Sequence, residues 1–188
     1  MAKLIYATPT SLDGYISDEG NFEWAAPDDE VFAFISDVMR PIGTYLYGRK
    51  MYQTMAVWET PEVIPGRTPA MLDFARIWQA ADKIVYSRSR ETVSTPRTRL
   101  EREFRPEVVR ELKSQSPLDL SVAGPTLADH AIRDGLVDEY QLLVAPAMLG
   151  GGRRVLPSNV QLRLELLDER RFGNGMVYLR YRSKSDGA

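Results

Sequence analysis

Three short stretches of this 188-residue chain carry residue types suited to holding an anion. Gly48-Arg49-Lys50 follows the β-rich run Thr44-Tyr45-Leu46-Tyr47 and precedes a helix-favouring run to Met55. A glycine and two cations therefore stand at a helix start, where unpaired backbone N–H groups and the helix dipole favour negative charge. Ser87-Arg88 follows Lys83-Ile84-Val85-Tyr86 and offers a hydroxyl beside a guanidinium fork, a geometry suited to a phosphate monoester. Ala123-Gly124-Pro125-Thr126 follows a run from Leu118 to Val122 and opens another helix, and its small residues allow close backbone approach to a pyrophosphate. Each stretch has a plainer reading: a solvated helix end for Arg49 and Lys50, a surface turn for Ser87-Arg88. Three of them after strands in one chain fit a ligand with several phosphates, a dinucleotide among them. Neither Gly-x-Gly-x-x-Gly nor a Walker A motif occurs.

Composition narrows the chemistry. With 24 Lys+Arg against 26 Asp+Glu the net charge is -2, leaving no basic excess for a phosphate backbone, so no nucleic acid is expected as main partner. The absence of cysteine excludes thiolate zinc sites, iron–sulfur clusters, a cysteine nucleophile and disulfides. One histidine, His130, excludes a multi-histidine metal cluster and is read as non-catalytic, so no metal is expected. No run of 18 uncharged apolar residues occurs, and the N-terminal apolar run reaches Asp13 too soon for a signal peptide. A cytoplasmic protein with no membrane partner is expected.

The elements that must position these turns follow from the pattern. Leu4–Ala7 reads as a strand closed by Thr8-Pro9, with Ser11-Leu12-Asp13-Gly14 as a turn beyond it. Asp28-Asp29-Glu30 precedes Val31, Phe32, Phe34, Ile35 and Val38, which predicts a helix ending before Pro41. Residues 59–69 read as a loop, 70–81 as a helix, and 83–86 as a strand. A polar stretch with little core signal runs to Arg105, and Pro106 opens a helix to Lys113. Then come a strand at 118–122, a helix at 126–133 closed by Gly135, a strand at 137–145 and a flexible Gly150-Gly151-Gly152 turn. Two alternating runs, 163–171 and 176–182, flank Phe172-Gly173-Asn174-Gly175 as a hairpin. The expected fold is an α/β three-layer sandwich: a central mixed, mostly parallel sheet flanked by helices, with a C-terminal antiparallel hairpin. A single domain over 1–188 is expected, with 183–188 a loose tail.

Ser11-Leu12-Asp13-Gly14-Tyr15-Ile16, Gly48-Arg49-Lys50-Met51-Tyr52, Gly135-Leu136-Val137-Asp138-Glu139 and Ala145-Pro146-Ala147-Met148-Leu149-Gly150-Gly151-Gly152 occur in that order. Together they resemble the dihydrofolate reductase-like superfamily, in the branch similar to the reductase domain of the bifunctional riboflavin-biosynthesis deaminase-reductase. The resemblance spans roughly residues 3–182. It implies an NADPH-dependent reductase passing hydride to a small heterocyclic or phosphoribosyl substrate. Dihydrofolate reductase itself, and a non-catalytic nucleotide-binding protein that keeps the fold, are the alternatives.

By the same resemblance, Gly48 and Arg49 would hold cofactor phosphates and Ser87 with Arg88 would meet the adenosine 2′-phosphate. Gly124, Pro125, Thr126 and Leu127 would line the pyrophosphate, while Ala7 and the Leu12-Asp13-Gly14 turn would border the nicotinamide. Two positions depart from the family pattern. Met51 stands in the cofactor set where many relatives have a threonine, and Ala123 where a glycine is usual. Asp29 matches the place of a catalytic carboxylate, although Asp28 and Asp29 also read as a helix N-cap pair. Phe32, Met55 and Trp58 could form an apolar wall for a flat ring, although tryptophans are more often core. The resemblance also implies a possible homodimer.

Overall fold

The computed structural model of the chain describes residues 1–16 and 23–184. Its strands are β1 (Leu4–Ser11), β2 (Tyr15–Ile16), β3 (Ile42–Gly48), β4 (Asp82–Tyr86), β5 (Thr98–Glu101), β6 (Asp119–Ala123), β7 (Glu139–Ala145), β8 (Arg153–Arg154), β9 (Leu164–Arg171) and β10 (Val177–Ser183). The helices are α1 (Asp29–Met39), α2 (Arg49–Met55), α3 (Pro69–Ala80), α4 (Pro106–Gln115) and α5 (Pro125–Arg133). Eight strands form one sheet in the order β5-β4-β3-β6-β1-β7-β10-β9, and β2 pairs with β8 separately. From β5 to β7 every pairing is parallel, and the β9–β10 hairpin closes one side antiparallel. This is the expected architecture.

Helix starts follow the capping chemistry. Asp28 caps α1 by accepting from Val31 N–H at 2.9 Å, and Thr68 caps α3 through Met71 N–H. Gly135, at φ +64°, closes α5, and Leu136 N–H reaches back to Ala131 O at 2.9 Å. One sheet face packs Leu4, Tyr6, Leu46, Leu120 and Val122 against α4 and α5. The other packs Ile5, Tyr45, Tyr47 and Val85 against α3 and α2, with Phe74, Trp78 and Tyr52 fully or nearly buried. Towards the hairpin that same face packs Leu143, Ala145 and Tyr178 against α1. Glu139, on this face, is 3% exposed and accepts from Lys3 Nζ at 2.6 Å and Arg180 Nε at 2.8 Å. Burial alone would raise its pKa, but the two cations outweigh it and hold the carboxyl below its ordinary value.

Some elements differ from expectation. β1 runs through Pro9 instead of ending before it. Lys3 O accepts from Leu120 N–H and Leu4 O accepts from Asp138 N–H, so odd residues of β1 face β6 and even ones face β7. β6 pairs only with Leu4 to Tyr6, so the side that Pro9 faces has no strand to miss its N–H. The polar stretch before Arg105 contains edge strand β5, whose alternation is masked because an edge keeps little buried surface. A short 3-10 turn at Ala56–Glu59 leads into loop 59–69, which holds a second at Pro61–Val63. The expected tail starts later: Ser183 closes β10 and Lys184 N–H donates to Arg163 O, while 185–188 lie outside the described residues. Among the described residues no helix is long and apolar enough to cross a membrane.

Candidate functional site

In an open parallel sheet, ligands bind where adjacent strands send their following helices to opposite faces. β3 and β6 are adjacent, with Tyr47 level with Ala123. After β3 the chain enters α2, whose Tyr52 packs with Phe74 and Trp78 on one face. After β6 it enters α5, whose Leu127, Ala128, Ala131 and Ile132 pack on the other. The crevice between them opens at Gly48 and Gly124, the residues that cap the two helices. Neither helix has a side-chain cap. The first backbone bond of α5 comes from Ala128 N–H to Gly124 O, which leaves the N–H groups of Thr126 and Leu127 as donors for a ligand.

A cleft of about 830 Å³ lies there. It brings together Gly48, Arg49, Met51, Ser87, Arg88, Gly124, Pro125, Thr126 and Leu127, all singled out from the sequence. Among the described residues five cations line it, Arg49, Lys50, Arg88, Arg102 and Arg153, against one carboxylate, Glu103. Gly124 takes φ +91° and ψ 126°, a conformation left to glycine. A Cβ there would stand 3.3 Å from Met51 Cβ, so Met51 packs directly over Gly124. Both residues flagged as departures pack into one apolar cluster, Ala123 within it and Met51 against it.

The turn after β4 is internally organised. Ser87 is buried, and its Oγ accepts from Arg90 N–H at 3.1 Å, fixing the turn while leaving the hydroxyl proton free to donate. Arg102 Nη1 donates to the carbonyls of Ser87, Arg88 and Arg90. Arg88 extends into solvent with its side chain 84% exposed. Beyond it Tyr86 and Phe104 meet edge to face at 5.4 Å, and Phe104 stacks on His130 at 6.3 Å, forming an aromatic wall.

The other expected site residues lie elsewhere. Ala7 sits part-buried against the α2–α3 cluster. Leu12 is 68% exposed. Asp13 accepts from Ser11 Oγ at 2.6 Å, Gly150 N–H at 2.8 Å and Leu149 N–H at 3.1 Å, bonds that hold its pKa below the ordinary value. Gly14, at φ +81°, accepts at its carbonyl from Val155 N–H. The Leu12-Asp13-Gly14 turn thus clasps the segment after β7 and stands beside the cleft, whose adjoining wall is Ile16 and Arg153. Phe32, Trp58 and Phe74 form an edge-to-face trio with centroids 4.9–6.1 Å apart, and Met55 packs on the same cluster. Asp29 is exposed at the first residue of α1, outside the cleft, while its neighbour Asp28 is the cap.

Several cleft residues went unread in the sequence. Arg102, Glu103 and Phe104 fell in the polar stretch after an unrecognised edge strand. His130 stands four residues after Thr126, hence on the same helix face, a spacing that could have placed it in the cleft. Arg153, which donates to Thr126 Oγ1 from across the cleft, lies on a two-residue strand too short to leave a periodic signal.

The family model described as RibD C-terminal domain matches residues 2–178. The chain belongs to the RibD C-terminal domain family. The chain is 25% identical over 182 residues to the uncharacterized protein YyaP of Bacillus subtilis (strain 168), covering 95% of this chain and 94% of that one. It superposes on a putative riboflavin biosynthesis protein from Shewanella sp. PV-4 with TM-score 0.74 at 18% identity, covering 98% of this chain and 100% of the other. A diaminohydroxyphosphoribosylaminopyrimidine deaminase/5-amino-6-(5-phosphoribosylamino)uracil reductase from Thermotoga maritima matches with TM-score 0.67 at 13% identity, over 97% of this chain and 57% of that one. These structures share the fold of this chain.

Proposed function

We propose that the protein is an NADPH-dependent reductase that passes hydride to a small heterocyclic or phosphoribosyl compound, a substrate class like that named for the Thermotoga maritima protein. The observation that carries this reading is the pair of glycine-capped helix starts at the β3/β6 crevice, flanked by five cations. Free N–H donors on Thr126 and Leu127, with Arg153 opposite, suit a diphosphate, and the Tyr86–Phe104–His130 wall suits a purine ring. The chain's residues therefore fit a dinucleotide. When bound, its nicotinamide supplies the hydride. Gly48, Arg49, Gly124, Thr126 and Leu127 hold its phosphates, and Ser87 and Arg88 hold a 2′-phosphate.

A binding protein without turnover is favoured by the exposed position of Asp29 outside the cleft. Thermal unfolding with NADPH and NADH, followed by cofactor oxidation against pyrimidine and pterin substrates, separates the readings. A ligand at 100 times its Kd adds about 2.7 kcal/mol, and NADPH is expected to raise Tm by about 5–10 °C. A rise without oxidation selects the binding protein; no rise with either cofactor sinks the dinucleotide reading.

The same protein is proposed to pair as a homodimer. On the face opposite α1, β7, β10 and β9 present Leu142, Val144, Val177, Leu179, Leu164 and Leu166. Leu164 and Leu166 are 36% and 46% exposed, and α5 lies over β3 and β6, away from them. An apolar face about 14 Å by 25 Å, by strand spacing and rise, is what a sandwich buries against a second sheet. A second copy brings an identical sheet, and Glu169 and Arg171, flanking that face on β9, provide opposite charges that a two-fold axis can match. Light scattering is expected to give twice the chain mass, and Leu179→Arg to give the chain mass. A wild-type monomer at tens of micromolar would discard the pairing.

A further inference from the structure

We propose that Glu103 sets how strongly the cleft prefers a 2′-phosphorylated dinucleotide, by holding Arg88 in an ion pair and presenting a carboxylate to the ribose. This rests on the dinucleotide reading above and adds to it the residue that limits its specificity. Three arginines surround the turn after β4. Arg102 is committed to three backbone carbonyls. Arg90 lies over the Tyr52 ring at 4.8 Å and donates from Nε to Thr92 O at 2.7 Å. Arg88 alone among the three keeps its guanidinium off the backbone, and its ion partner is Glu103, Nη2 to Oε1 at 3.9 Å.

Glu103 stands between Arg102, which clips the turn, and Phe104, which belongs to the aromatic wall. A base on that wall puts its ribose between Arg88 and Glu103. A 2′-phosphate there gains Arg88 and meets the negative charge of Glu103; a free 2′-hydroxyl can donate to that carboxylate. The two side chains therefore pull in opposite directions, and the wild-type preference is the difference between them. The distance of 3.9 Å and exposures of 84% and 65% make the pair loose, so a phosphate can take Arg88 over without breaking a tight bond.

The test measures Kd for NADPH and NADH with wild type, Glu103→Gln, Arg88→Ala and the double variant. Glu103→Gln is expected to tighten NADPH about three- to fivefold and to weaken NADH about twofold, the range for one exposed charge. In the Arg88→Ala background the tightening should shrink, since the competition for Arg88 is gone. Equal changes for both cofactors, or an undiminished gain without Arg88, would overturn the role of Glu103 while leaving the dinucleotide site standing. Failure of wild type to bind either cofactor would instead remove the site itself, and this inference with it. Because Glu103 is exposed, an unchanged Tm without ligand is the control for folding.

Discussion

Arg88→Ala is expected to weaken NADPH binding about ten- to a hundredfold while NADH changes less than about threefold. A hydrogen bond to a charged partner contributes roughly 1.5–3 kcal/mol, which sets that range. Arg88 extends from a turn that Ser87 Oγ and Arg102 fix from within, so its removal takes away a charge without loosening the backbone that presents it. Its side chain is 84% exposed and supports no packing, so the apo Tm should stay within about a degree. Calorimetric titration of both cofactors decides the matter. Equal losses would mean that Arg88 contacts a group common to both, such as the diphosphate, and would move the 2′ site elsewhere.

The second large effect is expected at Gly124. Gly124→Val should abolish measurable binding of both cofactors, a loss of at least about a hundredfold, and lower Tm by about 2–10 °C. A side chain at φ +91°, ψ 126° is strained by about 1–3 kcal/mol, which converts to that Tm range for a chain of this size. Its Cβ would also press on Met51 Cβ at 3.3 Å. Relief by rotating the peptide would turn the Thr126 and Leu127 N–H groups away from the crevice, where they act together. Gly124→Ala, with less bulk, keeps the test readable if the valine variant folds poorly. Wild-type affinity in a folded Gly124→Ala protein would show that the α5 start is not where the phosphates sit. Methionine at 51 then reads as the complement of that glycine: it covers the backbone where a hydroxyl would have offered a hydrogen bond.

Most of the sheet, its largely parallel pairing and the C-terminal hairpin are legible because apolar runs are bounded by Gly, Pro or charged residues, as Pro41 and Gly48 bound the run of β3. Helix starts were legible for the same kind of reason, as with Asp28 before α1 and Pro106 at the start of α4. The three anion-suited turns could be found one at a time from strand–glycine–helix order, but their convergence depends on which strands are neighbours. β3 and β6 are separated by some seventy residues and carry no mutual signal in sequence. Pro9 misled because its cost depends on which side of a strand it faces. Arg102-Glu103-Phe104 was passed over because an edge strand and its exit bury too little to impose a pattern. The three donors that Ser11, Leu149 and Gly150 give the Asp13 carboxylate are not legible either, because two of them lie more than a hundred residues away.

β1 lies in the middle of the sheet, yet both of its partners come from the far half of the chain, β6 beginning at Asp119 and β7 at Glu139. During vectorial synthesis β1 is thus made more than about a hundred residues before either of its neighbours. Until then Leu4, Ile5 and Tyr6 lack the strands between which they are buried, so their burial requires long-range closure. The clasp of Asp13 on Leu149 and Gly150 cannot form before that stage either. The wall of the cleft that carries Ile16 and Arg153 therefore matures only after β7 and the segment beyond it have been made, and a chain stopped short of β7 has neither a complete sheet nor a closed site.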